Sequence, residues 1–204
     1  MIILQGAGSI VYNRERLMEA VSSQMPAKRW QHTLGVMETA VKLAEQYGAD
    51  PVKAELASIL HDVAKYWPTD RLEQVLRENH LNPGLLQEDK QLWHAEVGAF
   101  VAQQEYGIED LDILDAIRYH TSGREGMSLL EKVVCLADYI EPGRDFPGVN
   151  KLRKLANHSL EEALAAGLGT TISHLVEKNK AIYVLTVQAR NDLMKQMPIM
   201  EGNS

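Results

Sequence analysis

Two adjacent residues in an otherwise apolar run, His61 and Asp62 within Ala57-Ser58-Ile59-Leu60-His61-Asp62-Val63-Ala64-Lys65, are the first place where this chain could do chemistry. A carboxylate among Leu, Ile and Val side chains is costly to bury unless a cation or several donors compensate it. Neutral imidazole and carboxylate are natural ligands of a divalent metal, so one reading of the pair is a metal site. The other is a histidine at a helix C-terminus beside a solvated aspartate. The same pattern then recurs elsewhere. The apolar stripe Val36, Ala40, Leu43 and Tyr47, extended back one turn, lands on His32. Ile113 and Ile117 lead to His120, Leu130 and Val134 lead to Asp138, and His94 opens a further helix. Apolar stripes that end on an imidazole or a carboxylate, on several segments, point to a metal centre built from facing helices in the core of a bundle.

The elements that must position these residues are helices. Asp50-Pro51 is a helix start, with Asp as cap and Pro at the first helical position. Ala54, Ala57, Leu60 and Ala64 follow at helical spacing, so this helix is expected to carry His61 and Asp62. Before it, one helix runs from Asn13 to just short of Pro26, and another over 28–47 stops at Gly48. A helix restarts at Thr69, Asn82-Pro83-Gly84 is a turn, and the segment around Trp93 opens a helix in which Gly98 and Ala99 permit close approach. Further helices are expected over 110–119, from the capping box at Ser128 and Glu131, over 149–156, over 159–177 and over 181–195. There is no internal repeat and no alternating strand pattern. The expected fold is all-α, a single-domain helical bundle over 13–196, with an arm or short edge element at 1–12 and a flexible tail at 197–204.

With 204 residues and 45% hydrophobic content the chain can bury one sizeable core. A single cysteine, Cys135, excludes an intramolecular disulfide and a cysteine-based zinc site, so any metal must be held by His and carboxylates. The net charge of −7 argues against a broad nucleic-acid surface. It leaves room for a phosphorylated small molecule, because a metal and a few Lys or Arg residues can reverse the potential inside one cleft. No segment resembles a membrane span or a signal peptide, and a cytoplasmic protein is expected. An apolar strip on the first or last helix could serve a homodimer.

The order His32, His61-Asp62, Asp138 resembles the HD superfamily of metal-dependent phosphohydrolases, whose fold is an HD-type helical bundle. Longer strings narrow the resemblance: Leu60-His61-Asp62-Val63-Ala64-Lys65, Trp93-His94 with Gly98-Ala99, Ala116-Ile117-Arg118-Tyr119-His120-Thr121-Ser122-Gly123, and Ala137-Asp138-Tyr139-Ile140-Glu141-Pro142-Gly143-Arg144. These are similar to the YqeK-type symmetrical bis(5'-nucleosyl)-tetraphosphatases. The resemblance implies hydrolysis of diadenosine tetraphosphate to two ADP at an iron centre (Fe2+ or Fe3+, one ion or two), with Mn2+ or Co2+ as substitutes. His32, His61, Asp62 and Asp138 match the family's metal ligands. His94 and His120 match positions that complete a second metal site or touch the phosphates. Thr121, Arg144 and, less sharply marked, Tyr183 in the stretch 181–186 match substrate positions, and Lys65 would steady Asp62 or the substrate.

The chemistry fits the residue types independently. A tetraphosphate bridge demands neutralisation, which a metal, His120, Arg144 and either Arg118 or Arg124 could supply. It also demands a nucleophile at neutral pH, and a hydroxide held by a pair of metals that Asp62 bridges would be one. Arg118 and Arg124 read equally as surface cations, Tyr183 as packing, and His80, His158 and His174 as surface or structural residues. Two other functions use the same ligands: a nucleotide phosphatase or phosphodiesterase of the same superfamily acting on mononucleotides, and a sensor that binds a nucleotide without turnover.

Overall fold

The computed structural model describes residues 3–6 and 9–197, the side chains of 3–6 and 9–11 aside. A small antiparallel hairpin comes first, β1 (Ile3–Gly6) and β2 (Ser9–Tyr12), paired from Ile3 opposite Tyr12 to Gly6 opposite Ser9. The sequence pattern of 1–12 allowed a short edge element, and this hairpin is one. Its strands are too short for alternation to stand out. Tyr12 and Arg14 both bond Glu55, which fastens the hairpin to the helical body. Of the expected tail, 198–204 lies outside the described residues.

The rest is helical, and capping chemistry sets most boundaries. In α1 (Arg14–Ser22) the Asn13 side chain accepts from Arg16 N–H. The long α2 (Ala27–Tyr47) ends at Gly48, whose φ of 83° is left-handed. Asp50 caps α3 (Pro51–Leu60) by accepting from the N–H groups of Val52 and Lys53. Then follow α4 (Thr69–Glu78) and α5 (Trp93–Gln104), with short 3-10 turns at Pro83–Gln87 and Lys90–Leu92 between them. Asp110 caps α6 (Leu111–Tyr119), and the Ser128–Glu131 capping box starts α7 (Leu129–Ile140). The chain closes with α8 (Val149–Leu155), α9 (Leu160–Glu177) and α10 (Val184–Gln196).

Two boundaries differ from the pattern-based reading. The helix of Asp50-Pro51 stops at Leu60, so His61 caps it and Asp62 lies in the following turn. The last helix starts at Val184, leaving 181–183 as its lead-in.

One apolar core runs from Leu17 to Leu193, and α2, α3, α6 and α7 pack around its centre. Leu56, Ile59, Leu60, Ile113, Ile117 and Leu136 are among its fully buried side chains. Among the described residues no helix is long and apolar enough to cross a membrane.

The turn after α6 is one of the tight places in this packing. Gly123 has a φ of 65°, and a Cβ there would come within 2.8 Å of the Ala189 Cβ on α10. Both the backbone region and the contact exclude a side chain. Gly123→Ala should destabilise the protein by about 1–3 kcal/mol, read as a lower midpoint in urea; an unchanged midpoint would show that α10 can yield.

Candidate metal centre

The residues that the sequence singles out meet in the middle of this core. Asp62 is fully buried in the turn after α3. Its Oδ2 lies 2.8 Å from Nε2 of His61 and 3.9 Å from Nε2 of His32 on α2. Its Oδ1 lies 3.2 Å from Nε2 of His94 on α5 and 3.8 Å from Nε2 of His120 after α6. Asp138, near the end of α7, puts Oδ1 at 2.9 Å from Nε2 of His32. His32, His61, Asp62, His94, His120 and Asp138 are therefore all brought together, and one carboxylate faces two different pairs of imidazoles.

Backbone carbonyls decide which way the rings face. Nδ1 of His61 is 2.6 Å from the carbonyl of Ser58, Nδ1 of His94 is 2.8 Å from that of Gln91, and Nδ1 of His120 is 2.7 Å from that of Ile117. A carbonyl only accepts, so each Nδ1 carries the hydrogen and each Nε2 is left with a bare lone pair. The partner is three residues back each time. His61 and His120 cap α3 and α6 and so use carbonyls that a helix end leaves without an intrahelical donor. His32 differs, because its Nδ1 bonds the Glu141 carboxylate at 2.9 Å.

Burial keeps the His61, His94 and His120 rings neutral. It holds the His61 imidazole well below its ordinary value, helped by neighbouring His120. His94 is pushed down to about 3 by burial and by the Lys65 ammonium, and His120 to about 3 by burial and by His94. Burial alone would raise the Asp138 carboxyl, but the His32 ring and the Arg144 guanidinium hold it well below the usual carboxylate range.

This donor set fits a divalent cation. Nε2 of His61 and Oδ1 of Asp62 are buried without a hydrogen-bond partner. Bare lone pairs and carboxylate oxygens that face one another at 2.8–3.9 Å repel unless positive charge lies among them. Two overlapping groups have the spacing of metal ligands: His32, His61 and Asp138, and His61, Asp62 and His120.

A large cleft of about 710 Å³ opens from the centre, a size suited to a small-molecule ligand. His120, Thr121, Asp138 and Arg144 form its inner end, Tyr139, Phe146 and Pro147 one wall, and α9 residues from Thr170 to Glu177 the other. Thr121 Oγ1 is 3.0 Å from Nε2 of His120 and can donate to it. Tyr183 lies elsewhere, in a small cavity lined also by Asn82, Glu96, Arg118 and Ser122 that meets the cleft only at Thr121.

A family model for the HD domain matches residues 29–143, the stretch that supplies every donor just described. The chain belongs to the HD-domain family. Within it, the chain belongs with the symmetrical bis(5'-nucleosyl)-tetraphosphatases: it is 48% identical to the one from Bacillus subtilis over 89% of this chain and 98% of that protein, and 47% identical to the one from Halalkalibacterium halodurans over 97% of that protein. The crystal structure of a predicted HD superfamily hydrolase involved in NAD metabolism from Clostridium acetobutylicum superposes with a TM-score of 0.86 at 37% identity, covering 91% of this chain and 99% of that one. An HD domain implies a divalent metal, and the donors of this one fit it.

Several residues of this HD domain sit differently from their sequence reading. Lys65 does not touch Asp62; its Nζ is 3.4 Å from Nδ1 of His94, and burial followed by the nearby Arg29 pushes it down to about 8. The cation on Asp62 is Arg29, from the first turn of α2, a residue that no motif marked. Arg144 bonds the Asp138 carboxylate and its carbonyl. Arg118 and Arg124 face away from the cleft. Arg118 pairs with Glu96 and Asp115, and Arg124 with Asp115 and buried Glu131, a chain of ion pairs that braces the loop bearing His120. His174 is exposed, as a surface residue was expected to be, and lines the outer part of the cleft.

Glu141, quoted only as part of a motif, is the other omission. It is 3% exposed, bonds His32, and accepts from Gly143 N–H at 2.5 Å. Its carboxylate fills the space beside Gly35 on α2, where a Cβ would stand 2.6 Å from Oε2. Gly35→Ala removes no polar group but must displace Glu141 and so turn His32. Displaced supporting carboxylates typically weaken metal affinity by about 10–100-fold. Calorimetric titration with Mn2+ should show at least the lower of these, and equal affinity would mean that Glu141 does not orient the ring.

Proposed function

We propose that the protein hydrolyses diadenosine tetraphosphate and related dinucleoside polyphosphates symmetrically, giving two ADP. The observation that carries this reading is the end-to-end match to the Bacillus subtilis tetraphosphatase, covering 98% of its length. That alignment spans the helices that wall the cleft as well as those that hold the donors.

His32, His61, Asp62 and Asp138 would hold a divalent cation, which we take to be iron with manganese or cobalt as substitutes. The two oxygens of Asp62, each facing its own pair of imidazoles, support a second ion on the side of His94 and His120. Bound there, a metal supplies Lewis acidity and a water acidified to a pKa of about 7. The chain's own groups receive the substrate. Arg29, Lys65 and Arg144 surround the centre and neutralise the phosphate chain, although the protein carries a net charge of −7. The Thr121 hydroxyl, at the inner end of the cleft, donates to a phosphate oxygen. The walls formed by Phe146, Tyr139 and α9 enclose one nucleoside half, and Tyr183 reaches the nucleotide only past Thr121. The substrate class suits a cytoplasmic enzyme.

Incubation of metal-loaded protein with diadenosine tetraphosphate, followed by chromatography, should give ADP as sole product. AMP with ATP would overturn symmetrical cleavage, and release of inorganic phosphate from mononucleotides alone would move the assignment to a nucleotide phosphatase. Asp62→Ala should abolish turnover while circular dichroism stays helical.

Lys65 adds a pH dependence. Its ammonium is lost in the folded protein near pH 8 instead of near 10.5, so kcat/KM should fall above about pH 8. Lys65→Met should lower kcat/KM and remove that alkaline limb. The sign for stability is opposite. The unfolded chain binds the extra proton between about pH 8 and 10.5, so the stability of the native protein should rise with pH across this window relative to Lys65→Met.

A further inference from the structure

The residues that hold His32 and Asp138 in place are themselves held by a side chain outside the matched HD region. The turn after α7 carries both supports: Glu141, which bonds Nδ1 of His32, and Arg144, which bonds the carbonyl and carboxylate of Asp138. Neither helix nor strand fixes this turn. Its carbonyls, those of Ile140 and Glu141 among them, lie at a helix C-terminus, where intrahelical donors run out.

Arg153 on α8 supplies the donors. Its Nε bonds the carbonyl of Ile140 at 3.0 Å, and its Nη2 bonds those of Glu141 at 2.8 Å and Arg144 at 2.9 Å. Nη1 bonds Asn150 on the same helix at 3.0 Å, which fixes the plane of the fork. The helix is anchored in turn. Val149 and Leu152 are buried, and the carbonyl of Ala156 accepts from Tyr47 Oη at 2.8 Å and from Gln46 Nε2 at 3.1 Å, both on α2. Because α2 also carries His32, the contacts form a ring: α2 to α8, α8 through Arg153 to the turn, and the turn through Glu141 back to His32.

We propose that Arg153 is a positioning residue of the metal centre. It touches no metal donor, and acts by holding the backbone from which Glu141 and Arg144 reach His32 and Asp138. A planar guanidinium suits this task because it presents several donors in a fixed geometry, whereas an ammonium is a single rotating point.

The inference rests on the reading that the centre binds a metal, not on the identity of the substrate, so its test uses Mn2+ and metal-free protein without nucleotide. Arg153→Met should weaken Mn2+ affinity at least about tenfold, the lower end for loss of a group that orients a ligand. Arg153→Lys should recover part of the loss and provides a second variant if the first does not fold. In a Glu141→Ala background the same Arg153 substitutions should cost less than about threefold, because neighbours acting on one group are not additive. Ser128→Ala, which removes the cap at the far end of α7, serves as a control for general loosening and should leave affinity within about twofold. Unchanged affinity in the Arg153 variants, full additivity with Glu141→Ala, or an equal loss in Ser128→Ala would each overturn the proposal. Failure of the ADP product test would leave it standing.

Discussion

A carboxylate with no access to water sets the terms for this protein. Asp62 is fully buried, with Leu60 and Val63 beside it in the chain, and an isolated ionised carboxylate in such a place costs several kcal/mol. Its surroundings are arranged to meet that cost. Arg29 reaches it from α2, and imidazoles approach both of its oxygens from α2, the end of α3, α5 and the end of α6. Of these imidazoles, His61, His94 and His120 present lone pairs and add no positive charge. The divalent metal that an HD domain implies would lie among these lone pairs and carboxylate oxygens, and the packing of α2, α3, α5, α6 and α7 is what brings them within reach.

The accuracy of that convergence comes from the main chain. His61, His94 and His120 each give the Nδ1 hydrogen to a carbonyl three residues earlier, so the ring plane follows the backbone without relying on a distant partner. His32 lies inside α2, where the preceding carbonyls are engaged in the helix. It needs a partner from elsewhere, and Glu141 provides it from across the core. This difference explains why one ligand depends on a turn more than a hundred residues away while three depend only on their own segment.

The same difference separates what the sequence disclosed from what it concealed. His32, His61, Asp62, His120 and Asp138 were legible because each interrupts or ends an apolar stripe, His94 because it opens a helix, and polarity in a buried register is a local signal. The helices were legible for similar reasons: Asp50, Asp110 and Ser128 are caps that act within their own first turn. Arg29, Glu141 and Arg153 act through contacts formed only when distant segments pack. As single residues in the chain they look like any solvated charge. Arg118 and Arg124 were open between phosphate contact and a surface role, and the chain alone could not show that Glu96, Asp115 and Glu131 engage them in ion pairs. The end of α3 at Leu60 was hidden because the apolar pattern runs on through Val63 and Ala64 after the helix itself has stopped.

The cleft is bounded by two stretches of chain with different duties. The donors belong to residues 29–143, but most of the outer wall, from Thr170 to Glu177, belongs to α9. Under the proposed function, reactivity and selectivity would thus be encoded in largely different stretches of the chain. Drift in the wall can retune which leaving group is accommodated without touching the reactive centre, so selection can explore new substrates at low risk to the chemistry. The two parts are tied together where α7 and α8 pack on α9, with Tyr139 bonding Thr171, and there the freedom to diverge should be least.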